Sequence, residues 1–340
     1  MTLATKQKKP SVWLLISLFV LALLAAAAIW IYRGGASGSG QQRPKLTVGY
    51  QVSPAMALII IADDQHLFGS GTEVKLVNYE AGKLALQSFL AGSIDVAVAG
   101  DMPTGLALLQ GQKLTAFTEV IKDSRDAIRM VVRDGHCDRS HPSRFFLDGT
   151  RRKIATSFGG GPHYFSYSFL RAAGVPMGEV DLVAYKPTEM VGALKSRAVD
   201  GIAVFDPAAA KAEKALGPES CTFPDPQIYR EHYIAVAKPE VVKGSDPRLA
   251  DFVAGLRKAE TFIAAHPEQA RKIVSDRTSI DAATMAALWP KLKFGVYLDP
   301  RLPDLWLQEV DFNRMQPGAS FPVMPSLRDF QAAVSTRYVR

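Results

Sequence analysis

The sequence predicts an α/β fold built as two similar lobes, each a parallel-rich sheet flanked by helices, with a long apolar segment ahead of them. Three observations predict it. First, a short apolar strand runs into a small polar turn that opens a helix. This happens at Leu46-Thr-Val-Gly-Tyr-Gln-Val-Ser53-Pro54, at Ile94-Asp-Val-Ala-Val-Ala-Gly100-Asp101-Met-Pro103, and at Lys153-Ile-Ala-Thr-Ser-Phe-Gly159-Gly160-Gly161-Pro162. Second, strand and helix patterns alternate along the chain, the signature of βα units. Third, the second half echoes the first: Leu90-Ala-Gly92-Ser-Ile-Asp95-Val-Ala-Val resembles Leu194-Lys-Ser-Arg-Ala-Val-Asp200-Gly-Ile-Ala-Val. In both, a helix ends and a strand begins at an aspartate. The period is too long for a solenoid, so it marks two lobes.

The elements follow in order. Leu46–Tyr50 is the first strand, and Ser53 with Pro54 opens a helix to about Leu67, Ser53 suiting the cap and Pro54 the first turn. Val74–Tyr79 is a strand. Gly82–Ala91 is a helix with Leu84, Leu86, Phe89 and Leu90 facing a core. Ile94–Ala99 is a strand and Pro103–Gln110 a helix. Leu114–Ile121 and Ile128–Val132 read as strands joined by the turn Lys122-Asp123-Ser124-Arg125. A polar stretch from Arg133 to Thr150 marks the lobe boundary, and the pattern restarts. Strand Lys153–Ser157, helix His163–Ala173, a strand near Asp181–Ala184, helix Met190–Ser196, strand Gly201–Phe205 and helix Pro207–Leu216 follow. Tyr233–Ala237 reads as a strand returning to the first lobe. Beyond it the chain reads as mostly helical, with Pro247–His266, Pro267–Asp276, Asp281–Leu288 and Arg301–Met315 as helices.

The N-terminus sets the expected compartment. Lys6, Lys8 and Lys9 precede an uncharged run from Val12 to Tyr32, long enough to cross a bilayer, which takes about 20 apolar residues. The apolar core of a cleaved signal is shorter, roughly 7–15 residues. The reading is therefore a basic cytoplasmic tail at 1–11, an anchor at 12–32 and a Gly/Ser tether at 33–44, with cleavage near Ala25–Ala28 as the alternative. The lysines stay in the cytoplasm by the positive-inside rule, which puts the rest of the chain on the periplasmic side of the inner membrane. No cysteine follows the run, against a lipid anchor. The net charge is +7, of which Lys6, Lys8, Lys9 and Arg33 supply +4, leaving +3 for everything beyond. That remainder has no Lys/Arg block of the nucleic-acid type. Cys137 and Cys221 are the two cysteines. In an exported chain they permit a disulfide, and two unpaired thiols are the alternative. Two distant Cys and six scattered His lack metal-ligand spacing. Neither a Gly-x-Ser-x-Gly elbow, a Walker loop, a His-Glu-x-x-His helix nor a dinucleotide fingerprint is present, so no metal, cofactor or enzymatic role is expected.

From 45 to 315 the chain resembles the substrate-binding proteins of ABC importers for nitrate, taurine and aliphatic sulfonates, a group that includes binders of thiamine pyrimidine precursors. The resemblance rests on Leu46–Pro54, on Ala85-Leu-Gln-Ser-Phe-Leu-Ala-Gly92-Ser-Ile-Asp95-Val, on Phe158-Gly-Gly-Gly-Pro-His163-Tyr164-Phe165, and on Val199-Asp200-Gly-Ile-Ala-Val-Phe205-Asp206-Pro207. It implies a type II periplasmic-binding-protein fold whose lobes, 45–132 plus 235–340 and 133–234, are joined by two hinge crossings near Val131–Asp134 and His232–Ala235. It also implies a small anionic or sulfur-containing solute in the cleft and ABC permease subunits as partners. A sensing or accessory subunit of a membrane complex is the alternative role. The pyrimidine synthase that shares this fold needs a Cys-rich iron context that this chain lacks.

The expected ligand contacts lie at the strand ends. Phe158, Gly159, Gly160, Gly161, His163 and Tyr164 form the leading candidate, since glycines admit close backbone approach and a helix start favours an oxyanion. By resemblance this turn meets the acidic head group. Ser53 and Pro54 open the first helix, and Ser53 either only caps it or also donates to the ligand. Asp101, with Met102, sits in the matching turn, as a cap or as a site residue. Its carboxylate would repel an anion unless the ligand also carries an amine or a hydroxyl. His163 is either a donor to an anion, more so below its ordinary pKa, or a packed histidine at the helix start. Tyr79, Gly82, Phe205 and Asp206 are candidate walls, and Arg125 a candidate partner of a sulfonate.

Overall fold

The computed structural model describes residues 43–124, 127–223, 229–316, 319–321 and 324–340. The chain divides into two units, Met1–Arg43 and Pro44–Arg340, and the fold is that of the second. The expected tail, anchor and most of the tether, and Arg125 with them, lie outside the described residues. Among the described residues no helix is long and apolar enough to cross a membrane.

Among the described residues eleven strands form two sheets. The first holds β1 (Lys45–Gln51), β2 (Glu73–Tyr79), β3 (Val96–Gly100), β4 (Thr115–Ser124), β10 (Tyr233–Ala237) and β11 (Leu292–Tyr297), in the order β11-β4-β10-β3-β1-β2. Its strands alternate between two cores, as the pleat requires. Val96 and Val98 join Leu46, Val48, Tyr50 and the helix Ala57–Asp64 on one face, whereas Ala97 and Ala99 join Leu86, Phe89 and Trp306 on the other. The second sheet holds β5 (Ile128–Arg133), β6 (Arg152–Thr156), β7 (Val180–Ala184), β8 (Gly201–Phe205) and β9 (Ser220–Phe223), in the order β7-β6-β8-β5-β9. Here Met130, Val132, Ala203 and Phe205 face one core, and Val131, Ile202 and Val204 the other.

The aspartate echo has a structural cause. The Asp95 carboxylate accepts the Thr47 amide at 2.7 Å, and the Asp200 carboxylate accepts the Lys153 amide at 2.8 Å. Their own amides bond back to the Thr47 and Lys153 carbonyls. Each aspartate thus ties the start of one strand, β3 or β8, to its parallel neighbour, β1 or β6.

Several expectations are corrected. The sheets are mixed and not parallel-rich: β1 pairs in parallel with β2 and β3, but β10 lies antiparallel between β3 and β4, and β11 antiparallel to β4. The chain re-enters the first sheet from the other side after visiting the second, which reverses the strand direction. The segments read as a turn-linked strand pair, β4 and β5, belong to different sheets. The crossings between sheets therefore fall between Ser124 and Ile128 and between Phe223 and Tyr233, whereas Val131–Arg133, expected at a hinge and split at 132, is the interior and end of β5. Ser220–Phe223 and Leu292–Tyr297 were read as neither strand. The polar stretch after Arg133 is a loop with the short helix Ser143–Phe146, attached to the second sheet by the Cys137–Cys221 disulfide. That bridge spans 84 residues of sequence with Cα atoms 6.2 Å apart, a span whose loss of unfolded-state freedom is worth about 4.5 kcal/mol in the chain-entropy picture.

Candidate functional site

The C-terminal ends of β1, β2, β6 and β8 meet between the sheets. At the end of β1 the Gln51 side chain turns inward, its Oε1 accepting the Gly82 amide at 3.2 Å and its Nε2 left without a partner among the described residues. Two residues on, Ser53 is extended and buried to 1% exposure, ahead of the 3₁₀ turn Pro54–Met56. Its hydroxyl makes no cap bond and has no partner among the described residues, so the capping role expected for it is not the one it plays here. Tyr79, at the end of β2, lies against Gly49, where a Cβ would come within 2.8 Å of its ring. Gly82 opens the helix Gly82–Leu90 so close to β3 that a Cβ would stand 3.0 Å from the Ala99 Cα.

The opposite wall begins at Thr156 and Ser157, whose buried hydroxyls also lack partners among the described residues. Gly159 takes a left-handed φ of +72°, a conformation that glycine adopts without a Cβ penalty. It lets the chain turn into the helix Gly161–Ala172, with Gly160 as cap. The Phe158 carbonyl accepts the Lys83 ammonium at 2.9 Å, a link to the helix Gly82–Leu90 of the first sheet. Burial lowers the Lys83 pKa. The His163 ring stacks on Phe158 at 4.2 Å and meets Phe312 edge-on at 5.0 Å. Burial, with the Lys83 charge second, pushes it down to about 4, so it is neutral and packed here and does not act as a cation. Asp206 follows β8, its carboxylate engaged by Arg129 and by the Ala210 amide at 3.1 Å. Arg129 also grips Glu213 with two 2.9 Å bonds, so its charge is spent within the protein.

The segment returning to β10 carries the most polar part of the site. Glu231, 8% exposed, places its carboxyl between Gly100 and Gly161, and a Cβ on Gly100 would stand 2.5 Å from it. The Tyr233 hydroxyl bonds it, and its Oε2 has no partner among the described residues. Burial, then the charge of Asp101, raises Glu231 to about 8, so it holds its proton at neutral pH. Asp101 is fully buried behind Gly100 and accepts from the Tyr229 hydroxyl at 2.7 Å and the His232 amide at 3.3 Å. Its other oxygen faces Glu309 of the helix Leu302–Arg314. Neither Glu309 oxygen finds a donor among the described residues, and burial followed by the Asp101 charge raises Glu309 strongly. Burial opposes charge on His232, but its 2.8 Å bond to Glu119 and the charges of Glu119, Asp101 and Asp299 prevail and raise it to about 9.

These groups frame one cleft. A gap of about 20 Å³ is lined by Gln51, Gly82, Lys83, Ser157, Gly161 and Glu231, and a wider chamber of about 330 Å³ by Gln51, Tyr79, Thr188, Phe205, Pro207 and Lys211. Ser53 and Pro54 line an adjoining recess with Phe205, Asp206 and Tyr233. A profile of the NMT1-like family matches residues 39–277, more than two thirds of the chain. The chain belongs to the NMT1-like family.

Relatives of this NMT1-like protein agree with the resemblance read from its sequence. The taurine-binding periplasmic protein of Escherichia coli (strain K12) is 25% identical over 192 residues, 56% of this chain and 55% of that protein. The chain thus spans about half the length of that curated relative. Among solved structures, the alkanesulfonate-binding protein SsuA of Xanthomonas axonopodis pv. citri, bound to MOPS, superposes with a TM-score of 0.70 at 19% identity, covering 86% of this chain and 99% of that one. The periplasmic nitrate-binding protein NrtA of Synechocystis PCC 6803 gives 0.65 at 13% identity, covering 86% and 85%. At such identities the structures establish the shared two-sheet periplasmic-binding-protein fold.

In this NMT1-like protein the fold brings together Ser53, Pro54, Tyr79, Gly82, Gly160, Gly161, Phe205 and Asp206. Others fall elsewhere. Met102 is buried between helices, its sulfur 3.8 Å from the Asn313 amide. Tyr164 stands against Tyr229 and Phe312 and lines a separate outer cavity of about 650 Å³ with His232 and Arg301. Asp101 supports the cleft from behind Gly100. Gln51, Lys83, Ser157, Glu231, Tyr233 and Glu309 escaped the sequence reading. A cue existed for two of them: Ser157 is the polar residue just past β6, as Ser53 is just past β1, and Tyr229-Arg-Glu-His232 packs titratable groups directly before an apolar strand.

Proposed function

We propose that this protein is an exported solute receptor that captures a small organic ion between its two sheets and delivers it to the permease of an ABC importer. The apolar run 12–32 tethers it to the outer face of the inner membrane. Each sheet with its helices acts as one lobe, and the lobes shut over the ligand. One observation carries this reading. Four buried polar groups from both sides of the cleft, Gln51 Nε2, Ser53 Oγ, Ser157 Oγ and Glu231 Oε2, have no partner among the described residues. Buried polar groups are ordinarily satisfied, so a shared set of exceptions around one cleft calls for a ligand that satisfies them. Tyr79 and Phe205 along the wider chamber suit an organic tail better than bare nitrate. The taurine-binding relative supports the same class of cargo, an aliphatic sulfonate, taurine or a similar small ion. Binding is the proposed activity.

A thermal-shift panel of taurine, alkanesulfonates, nitrate, bicarbonate and thiamine pyrimidine precursors tests it. A ligand at 100 times its Kd adds about 2.7 kcal/mol, a rise of roughly 5 °C or more for a domain of this size. A panel without any rise would remove the receptor reading. The tether has its own check. Alkaline carbonate washing should leave the chain in the membrane fraction, and its release with peripheral proteins would show that 12–32 is not an anchor.

A further inference from the structure

We infer that the ligand carries a cationic nitrogen as well as an acceptor end: Glu231 receives the nitrogen, and Gln51, Ser53 and Ser157 receive the opposite end. This deepens the receptor reading and rests on it. Glycines from both sides of the cleft, Gly100 and Gly161, frame the one carboxyl of Glu231, and a side chain on either would run into it. A second observation is independent of the acid. Gln51 Nε2 and Ser157 Oγ line the same gap, belong to residues 5% and 3% exposed, and have no partner among the described residues. The amide nitrogen can only donate and the hydroxyl can donate, whereas an ionised Glu231 can only accept. The cleft therefore presents unsatisfied donors and an acceptor together, the complement of a ligand that carries both an acceptor group and an ammonium.

The charges nearby, Lys83 on one side and the carboxyls on the other, suit a ligand that carries both signs better than a bare oxyanion. Glu231 is faced by Asp101 and Glu309 from behind Gly100, by Tyr229, His232 and Tyr233 on its own segment, and by Lys83 across the gap. His163 is neutral and Arg129 is held by Asp206 and Glu213. An anion at Glu231 meets a carboxyl with a carboxyl pair behind it, and an ammonium there meets acceptors. Because free Glu231 keeps its proton up to about pH 8, receiving a cation requires release of that proton. Binding then tightens as pH rises toward 8, by about tenfold between pH 6 and 7.

Calorimetry on the full chain in detergent, with taurine and propane-1-sulfonate as probes, tests this. The two differ by an ammonium against a methyl group. Taurine should bind at least about 30-fold tighter at pH 8, strengthen about tenfold from pH 6 to 7, and release close to one proton, read from buffers of different ionisation heat. Glu231→Gln, of the same shape, should bring the two probes together and flatten the pH profile. Propane-1-sulfonate binding as well as taurine to the unaltered protein would overturn the inference and leave the receptor reading standing. So would a Glu231→Gln variant that keeps the taurine preference, or binding of nitrate in place of taurine. Failure of every compound in the panel would remove both.

Discussion

Without ligand, the protein should lose stability steadily as pH rises from about 5 to 9, by on the order of 3–5 kcal/mol. Glu231 is the main cause. Its carboxyl titrates at about 8 in the folded state against an ordinary 4.5. Below 4.5 both states hold the proton and nothing is lost. Between 4.5 and 8 the unfolded chain releases it while the folded one must keep it, so folding becomes progressively less favourable. His232 adds the same slope from the other charge type. Raised from 6.5 to about 9, its stabilisation is complete below 6.5 and disappears as pH passes 9. Asp101, Glu309 and Asp206, all raised by burial, act in the same direction. The depressed carboxylates Asp138, Asp246, Asp281 and Asp299 stabilise above about 4 and leave this window clear. Urea unfolding at unit pH steps reads the slope. Glu231→Gln should match the parent near pH 5 and exceed it in stability at pH 8. Stability that is flat or rising from pH 5 to 8 would show that Glu231 is not held protonated in the fold.

Replacing Trp306 with alanine should lower stability by about 3–5 kcal/mol. Trp306 is fully buried, donates its indole N–H to the Asp101 carbonyl at 3.1 Å and packs against Phe330 at 5.9 Å. Gly105 makes room for it: a Cβ there would stand 2.7 Å from the indole. The side chain therefore joins the helix Leu302–Arg314 to the helix Asp101–Leu109, and this contact sets Glu309 against Asp101. Trp306→Phe keeps most of the packing and loses the hydrogen bond, and should cost about 1–2 kcal/mol. Chemical denaturation of both variants is the measurement. An alanine variant within 1 kcal/mol of the parent would mean that the helix pair is held elsewhere.

Much of this molecule is legible from local pattern. Gly201–Phe205 and Tyr233–Ala237 have the expected bounds, and the four helices after Pro247 lie within two residues of theirs at each end. Strand alternation and helix starts are set by residues a few positions apart, so a single segment carries its own signal. The Ser53, Gly82, Gly161 and Phe205 positions were legible for the same reason, because each ends a strand or opens a helix. Ser220–Phe223 and Leu292–Tyr297 were not, because each is short and its pairing partner, β5 or β4, lies more than 80 residues away in sequence.

The sequence by itself determined the βα rhythm, the twin aspartates that tie each sheet together, the mild charge beyond the apolar N-terminus, and the family resemblance. Tertiary structure alone decided the character of the site. It laid β10 antiparallel inside the first sheet and brought Glu231 between two glycines, Gly161 and Gly100, 70 and 131 residues away in sequence. It also joined Cys137 to Cys221, buried His163 as a neutral ring, and paired Asp101 with Glu309. The reason is physical. Secondary structure follows from nearest-neighbour sterics and hydrogen bonding, whereas protonation and ligand complementarity follow from which distant groups share a buried, poorly solvated volume, and that is fixed only when the chain has crossed between its sheets and back.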